Sequence, residues 1–299
     1  MSTDQQWDIV TGVGLTALAV AAGRAVETER PDALISDPYA SRLVAAAQPP
    51  ESFPISADGL DLEGMEDVEK ELWTSMSGYM ALRSRVFDDF FLQAAADGVT
   101  QAVILASGLD TRPYRLSWPA GTVCYELDQP AVLDFKFRTL DEGGATPACT
   151  HRAVPIDLRD DWGAALEAAG FDVERPTAWL AEGLLPYLPP DAEVRLLREM
   201  TRLSAPGSRC AIERIDDVAR IIDDPQIRAM SGKMNFDFQA LLPQGEREPV
   251  DAQLTGQGWE LTERLVSDIA AEFDRPMPPA EMFTEHARHT FGRLVPRNG

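Results

Sequence analysis

Acidic and small polar residues follow four short apolar runs in the middle of the sequence, where the strands of a parallel sheet would end. Asp128 lies 20 positions beyond Gly108. An acid at about that offset can accept hydrogen bonds from both hydroxyls of a ribose. Ligands of open parallel sheets bind beyond the carboxyl ends of the strands, so these residues are the first candidates for a site. The residues that follow the four runs are Ser107, Gly108, Asp110, Asp128, Asp157, Leu158 and Glu182.

The loop after the first run has one glycine, Gly108, whereas a dinucleotide-binding loop has three. Those glycines let a pyrophosphate approach the N-terminus of the first helix, and Asp110 would add a negative charge beside it. S-adenosylmethionine has no phosphate and carries a sulfonium, an ammonium and one carboxylate. Acids such as Asp110 and Glu182 would attract such a ligand. The loop therefore favours S-adenosylmethionine over a nicotinamide dinucleotide.

Arg83 lies on the apolar stripe of a long predicted helix. In "ELWTSMSGYMALRSRVFDDFFLQA" apolar residues recur at spacings of three and four, and Arg83 falls between Met80 and Val86, whereas Arg85 falls off the stripe. A guanidinium that faces a core needs an anion, because an unpaired buried charge is costly. An arginine at the solvent-exposed edge of the stripe would need no such partner. For a buried Arg83, two partners fit this pattern. One is a carboxylate of the chain itself, and the other is the carboxylate of a ligand, which the planar guanidinium can grip.

The pattern after residue 101 predicts the sheet that would bring these residues together. Short apolar runs alternate with helical runs, which is typical of a parallel sheet with helices on both faces. The later runs "GWELTERLV" and "RHTFGRLVP" have no clear helix between them and predict an antiparallel edge. The fold class is therefore α/β, with a doubly wound, Rossmann-like, mostly parallel sheet. The predicted parallel strands are 102–106, 122–127, 151–155, 177–181 and 209–213.

The N-terminal part of the chain predicts a helical cap. Residues 12–47 have a helical pattern with a break near Pro31. Asp37 is expected to cap a helix that has Pro38 at its first position.

A long helix is predicted from about Glu66 to Asp97, closed by Gly98. We expect this helix to complete the cap and to pack with the core as one compact unit. The expected division is 1–98 for the cap or lid and 99–299 for the core, with a cover insertion around 216–250.

Composition limits the partners and the location of the protein. The 299 residues carry a net charge of -22, which repels phosphate backbones and anionic lipid surfaces. We therefore predict neither nucleic acid nor a membrane as a partner. The three cysteines form no paired framework, and the start "MSTDQQWD" lacks the positive charge of a signal peptide, so we predict a cytoplasmic protein.

Four segments carry a resemblance to a known family. "ILASGLDTRPYRL", "YELDQPAVLDFK" and "RSRVFDDFF" resemble the leucine carboxyl methyltransferase superfamily, and "WLAEGLLPYL" adds to the likeness. Within it they most resemble a bacterial group of S-adenosylmethionine-dependent methyltransferases. The resemblance implies a class I methyltransferase sheet, and it fades over 216–280. One departure is Ala106, which stands where the family's "LGxGLDTR" loop usually has a glycine.

The resemblance also implies roles for individual residues. Tyr187 and Glu182 follow the carboxyl edge of the sheet and are the candidates for catalytic residues beside the acceptor. No third ligand cluster accompanies His286 and His289, so we predict no metal site and expect a helix end or a strand entrance that faces solvent there. The implied cofactor residues are Arg83 for the carboxylate, Ser107, Gly108 and Asp110 around the methionine part, Asp128 for the ribose, Asp157 and Leu158 for the adenine, and Glu182 for the ammonium.

The expected reaction is an in-line transfer of a methyl group to a carboxylate or hydroxyl oxygen of a small molecule. A carboxylate is already ionised at neutral pH and needs no base. A hydroxyl needs one, and Glu182 or a histidine is the candidate. Two other classes stay open: a nicotinamide-dependent oxidoreductase, and a non-catalytic cofactor-binding or scaffold protein. The sequence indicates neither the acceptor's identity nor an oligomeric state.

Overall fold

The computed structural model describes residues 9–10, 12–49, 53–56, 67–215, 241–243, 245–276 and 287–296. The strands that it describes are β1 Gln101–Leu105, β2 Val123–Asp128, β3 Thr150–Pro155, β4 Thr177–Ala181, β5 Arg209–Ile215, β6 Trp259–Leu265 and β7 Ala287–Leu294. They form one sheet in the order β3-β2-β1-β4-β5-β7-β6. Strands β1 to β5 are parallel, and β7 runs antiparallel between β5 and β6. The predicted sheet with its antiparallel C-terminal edge is confirmed.

The direction in which strands are added reverses between β1 and β4. The chain proceeds from β1 through β2 to β3 on one side, and then returns to β4 and β5 on the other. Such a switch point opens a crevice at the carboxyl ends of the strands. The described helices are α1 Val13–Thr28, α2 Ala40–Ala47, α3 Asp67–Ala96, α4 Arg112–Arg115, α5 Pro130–Glu142, α6 Trp162–Ala168, α7 Pro190–Arg202, α8 Val250–Gly256 and α9 Val266–Glu272.

Helices cover both faces of the sheet because alternate strand residues point to opposite sides. Val103 of β1 packs into the same core cluster as Leu166 of α6 and Leu196 of α7. Its neighbour Ile104 packs into the other cluster, which includes Phe87 of α3. Each such side chain contributes roughly 1.5–3 kcal/mol when fully buried. The two apolar faces confirm the doubly wound α/β class.

The cap helices pack over the loop that follows β1. A third core cluster joins Leu18 of α1 and Leu43 of α2 to Leu109 of that loop and Phe135 of α5. Most of the predicted cover insertion, residues 216–240 and 244, lies outside the described residues. No described helix combines the length and the hydropathy that crossing a bilayer requires.

The long helix ends as predicted. Gly98 has φ +88°, in the left-handed region that favours glycine. Its N–H donates to the carbonyl of Ala95 (3.0 Å), and the N–H of Val99 donates to the carbonyl of Ala94 (2.9 Å). These two bonds form a Schellman motif that satisfies the last carbonyls of α3.

Asp37 does not cap α2, so this prediction was wrong. The helix begins at Ala40, two residues later than predicted. The Asp37 carboxylate is buried and accepts hydrogen bonds from Arg24 Nε (2.8 Å) and the Thr111 hydroxyl (2.7 Å). Its other oxygen accepts from the N–H of Tyr39 (3.2 Å), in the turn just before the helix. Arg24 neutralises its charge, so the carboxylate joins α1 to this turn and does not cap the first turn of α2.

The connection after β6 also differs from the prediction. Helix α9 starts directly at Val266, although the sequence suggested no clear helix there. Val266 and Ile269 are fully buried against the face that α3 covers. A helix of seven residues has too few turns for its periodicity to be recognised.

Candidate functional site

The predicted site residues meet at the carboxyl ends of the parallel strands. Asp128 is the last residue of β2, and the loop 106–110 follows β1. Glu182 directly follows β4, and Asp157 follows β3 by two residues. The order along the rim is that of the sheet, so the residues implied for adenine, ribose, methionine and carboxylate lie in this same sequence across it.

The loop after β1 is closed by the carboxylate of Asp128. The Gly108 N–H donates to Asp128 Oδ2 (2.6 Å), and the Gln129 N–H donates to Oδ1 (2.6 Å). Burial raises the pKa of Asp128 above its usual value, although these two donors act in the opposite direction. Gly108 has φ +47°. The structure therefore places the predicted ribose acid against the predicted loop glycine.

Ala106 is in a backbone conformation that an alanine seldom adopts. Its φ is +50°, and the left-handed region costs an L residue roughly 1–2 kcal/mol. This is the position at which the resembling family usually has glycine. The Ser107 N–H donates to the carbonyl of Leu127 (3.0 Å), which holds the loop against β2. The loop therefore carries backbone strain at this position.

Arg83 is buried, with 5% of its surface exposed, and it contacts carboxylates of the chain. Its Nη1 donates to both carboxylate oxygens of Glu213 (2.9 Å each). Its Nε lies 2.8 Å from Glu182 Oε1, in a charge contact without hydrogen-bond alignment. Its Nη2 makes no hydrogen bond to any described residue. The chain's own acids therefore contact Nε and Nη1 of Arg83.

Glu213 is a site residue that the sequence reasoning missed. Besides Arg83, it accepts hydrogen bonds from the Tyr79 hydroxyl (2.5 Å) and from the N–H of Gly183 (2.6 Å). Burial alone would raise its pKa, but Arg83 and Tyr79 outweigh burial and lower it, so the carboxylate stays ionised. The signal was an acid inside the apolar strand "RCAIERI", near its carboxyl end.

Arg112 is the second missed residue, and it neutralises two predicted ones. Its Nη1 contacts Asp110 Oδ2 (2.5 Å) and Glu182 Oε2 (2.7 Å), and its Nε donates to Asp88 (2.7 Å). Burial acts to raise the pKa of Asp110, but Arg112 and other nearby arginines lower it below its usual value. Asp110 is thus not the unpaired anion that the loop suggested. Glu182 bridges Arg83 and Arg112.

Tyr187 lies between the cap and this network. It ends the short 3-10 helix Leu185–Tyr187 and shares a hydrogen bond with Thr16 of α1. Burial raises the pKa of Tyr187, and Glu213 adds to the rise, whereas Thr16 and Arg83 oppose it. Tyr187 therefore lies against helix α1 of the cap.

Asp157 and Leu158 lie beyond β3, at the other end of the row. The Asp157 carboxylate accepts hydrogen bonds from Arg159 Nε (2.9 Å) and from the Arg159 N–H (2.8 Å). Burial raises the pKa of Asp157, but these bonds to Arg159 lower it more. Leu158 is half-buried against the core. The N–H of Ile156 donates to the carbonyl of Asp128 (2.8 Å), which fixes this segment beside the ribose acid.

His289 does not face solvent, so that expectation was wrong. It lies in β7, which is inside the sheet, and its side chain is fully buried. Neither ring nitrogen has a hydrogen-bond partner in the described part of the chain. His286 lies outside the described residues. Within those residues no cluster of histidine, cysteine and acidic side chains could hold a metal ion.

Sequence comparison connects this site to a family. The model of the family described as leucine carboxyl methyltransferase matches residues 17–201, more than half of the chain. A protein of Mycolicibacterium vanbaalenii is 51% identical over 284 residues, covering 93% of this chain and 92% of its own. A protein of Saccharopolyspora erythraea is 48% identical over 277 residues, covering 93% of each. Both bear the name "Putative S-adenosyl-L-methionine-dependent methyltransferase".

Structural comparison agrees on the fold. The crystal structure of a DUF574 family protein from Streptomyces avermitilis has a TM-score of 0.54 at 17% identity, covering 85% of this chain and 96% of its own. At that identity the likeness concerns the fold alone. The family match spans the cap from α1, the loop after β1 and strand β4. On this evidence the chain belongs to the leucine carboxyl methyltransferase family.

Proposed function

We propose that this chain transfers a methyl group from S-adenosylmethionine to a carboxylate oxygen of a small molecule. Cofactor-dependent methyl transfer follows from membership of the family, and the acceptor is our proposal. The observation that carries it is the pairing of Glu182. Both of its oxygens contact arginines, Arg83 on one side and Arg112 on the other. A carboxylate held in this way is a poor general base, which favours an acceptor that is already ionised.

The residues at the rim fit the cofactor that we propose. Arg83 Nη2 would hold its carboxylate, because Nε and Nη1 already contact Glu182 and Glu213. Asp128 would accept hydrogen bonds from the ribose hydroxyls, and Asp157 with Leu158 would bind the adenine. Glu182 would face the ammonium. We infer these roles from position along the rim and from the charges of the side chains.

The chain's own contribution to the reaction is orientation. When bound, S-adenosylmethionine supplies a methyl group on a sulfonium with a neutral leaving group. Arg83 and Asp128 would fix the two ends of the ligand, and Tyr187 with α1 would close the space above it. Correct alignment of two reactants can lower a barrier by roughly 7–11 kcal/mol. An ionised acceptor then needs no proton transfer, so no side chain has to act as base.

Binding of S-adenosylhomocysteine, measured by calorimetry, tests the cofactor part of the proposal. Arg83→Met is expected to weaken binding at least about tenfold, because a charge-assisted hydrogen bond contributes roughly 1.5–3 kcal/mol. Arg85→Met is the matched control. Arg85 lies on the same helix, is partly exposed and pairs with Asp89. Equal affinities of the two variants, or no binding by the unmodified chain at millimolar ligand, would contradict the proposal.

A panel of acceptors tests the chemistry. Carboxylic acids and alcohols of matched size are incubated with the protein and the cofactor, and methyl esters or ethers are detected by mass spectrometry. We expect ester products that form without a rate increase between pH 6 and pH 9, since the acceptor stays ionised across that range. Ether products alone would show that a hydroxyl is the acceptor.

A further inference from the structure

Lys136 of helix α5 is fully buried against the loop 106–110. Its ammonium contacts three oxygens: Glu126 Oε1 (2.7 Å), Ser107 Oγ (3.1 Å) and the backbone carbonyl of Asp110 (3.3 Å). An ammonium has three donors, so all of them are used. Two of the three acceptors belong to the loop, and they lie on either side of Gly108. Lys136 ends the segment "YELDQPAVLDFK", but neither the roles implied by the family resemblance nor the proposed chemistry includes it.

The same loop contains the strained residue. Ala106 has φ +50°, and a backbone in such a region persists only where its surroundings determine it. Lys136 supplies that constraint from the side of α5. Its own position is fixed by Glu126 of β2, whose second oxygen lies 2.6 Å from His151 Nε2.

We propose that Lys136 is a positioning residue, which holds the loop 106–110 in the shape that receives the methionine part of the cofactor. This inference rests on the proposed function. A buried ion pair is weak evidence for a role in stability, because an apolar pair of similar volume is often as stable. The contacts of Lys136 point instead to the loop, since its ammonium links Ser107 and Asp110 of that loop to Glu126 of strand β2. These contacts hold the loop in its shape despite the backbone strain at Ala106.

The test uses a charge-balanced double variant, Lys136→Met with Glu126→Gln. We expect this variant to bind S-adenosylhomocysteine about five- to thirtyfold more weakly than the unmodified chain, the equivalent of the penalty for one left-handed alanine. Adding Ala106→Gly removes the strain and should recover most of the lost affinity. In the unmodified chain, Ala106→Gly should change the affinity little, because Lys136 already holds the loop. A role in general stability would not produce this selective recovery.

Leu254→Ala is the matched control for destabilisation. Leu254 is fully buried in α8, beside β6 at the far end of the sheet from β1. It should lower the melting temperature and leave the dissociation constant unchanged. If the double variant binds as tightly as the unmodified chain, or if Ala106→Gly recovers nothing, the inference is wrong although the proposed function stands. If the unmodified chain does not bind, the proposed function itself fails.

A milder variant answers the same question if the double variant does not fold. Lys136→Arg keeps the positive charge beside Glu126, but a planar guanidinium cannot reach the same three oxygens as a tetrahedral ammonium. We expect a weaker but measurable loss of affinity, again recovered by Ala106→Gly. Unchanged affinity in Lys136→Arg, with the melting temperature lowered, would overturn the inference.

Discussion

The buried histidine of β7, His289, makes the folded state of this protein less stable as the pH falls. The ring of His289 stacks on Tyr79, with centroids 6.1 Å apart, and meets Phe87 edge-on at 5.0 Å. Neither nitrogen has a hydrogen-bond partner among the described residues. An imidazole in such surroundings is held in its neutral form, because the charged form loses its hydration.

Burial is the main cause of a lowered pKa at His289, which falls from 6.5 to about 4. Three charged residues face it from neighbouring elements. Glu213 of β5 favours the charged form and opposes the change, whereas Arg83 of α3 and Arg264 of β6 disfavour it. The two arginines therefore reinforce the effect of burial.

The direction of the change in stability with pH follows from which state, folded or unfolded, is protonated first. The folded pKa lies below the unfolded value, so the unfolded chain is protonated first as the pH falls. The stability contributed by the neutral ring is present above about pH 6.5 and is lost as the pH falls towards 4. The gap between these values corresponds to about 3 kcal/mol. About 2 kcal/mol of it should be lost between pH 7 and pH 5.

His289→Phe tests this reasoning, because it keeps an aromatic ring between Tyr79 and Phe87 and removes the titrating group. The free energy of unfolding is measured with urea at pH 7 and at pH 5 for both chains. We expect the unmodified chain to lose about 2 kcal/mol more than the variant between these two values. The variant should also be no less stable at pH 7, since a buried polar group without a partner is costly. Equal losses in the two chains would show that His289 does not titrate as its surroundings require.

Three further predictions concern the loop, the rim and the end of α3. Ala106→Gly should raise the free energy of unfolding by about 1 kcal/mol, measured with urea, because glycine adopts φ +50° without strain. Asp128→Ala should weaken binding of S-adenosylhomocysteine in calorimetry by a few kcal/mol of lost charge-assisted hydrogen bonds, and unchanged affinity would remove Asp128 from the site. Gly98→Ala should lower the thermal midpoint by a few degrees, because φ +88° disfavours any side chain, and an unchanged midpoint would contradict the Schellman closure.

The parts of the fold that could be predicted from the sequence are those with local signals. The apolar runs located the parallel strands to within about two residues, because side-chain direction alternates along a strand. The end of α3 was predictable from Gly98, since few residues other than glycine adopt its backbone conformation. Helix α9 was missed because a seven-residue helix is too short for its period to be read.

The partners within the site could not be predicted in the same way. Arg83 was identified because its position on an apolar stripe is a local property, but Glu213 lies 130 positions away. A single sequence can show that a buried charge needs a partner. It does not show which distant residue supplies the opposite charge. The same limit applies to Asp37, whose partner Thr111 lies 74 positions away, and to His289, whose burial depends on where β7 enters the sheet.

The buried charges at the rim explain how Arg83 is held in one orientation. Two arginines and three carboxylates, Arg83, Arg112, Asp110, Glu182 and Glu213, form a continuous set of contacts across the ends of three strands. Breaking one such buried pair typically costs about 3–5 kcal/mol. The network therefore fixes the orientation of Arg83 before any ligand arrives. A guanidinium that is already oriented loses little rotational freedom on binding, so its remaining donors can contribute their full hydrogen-bond energy to a bound carboxylate.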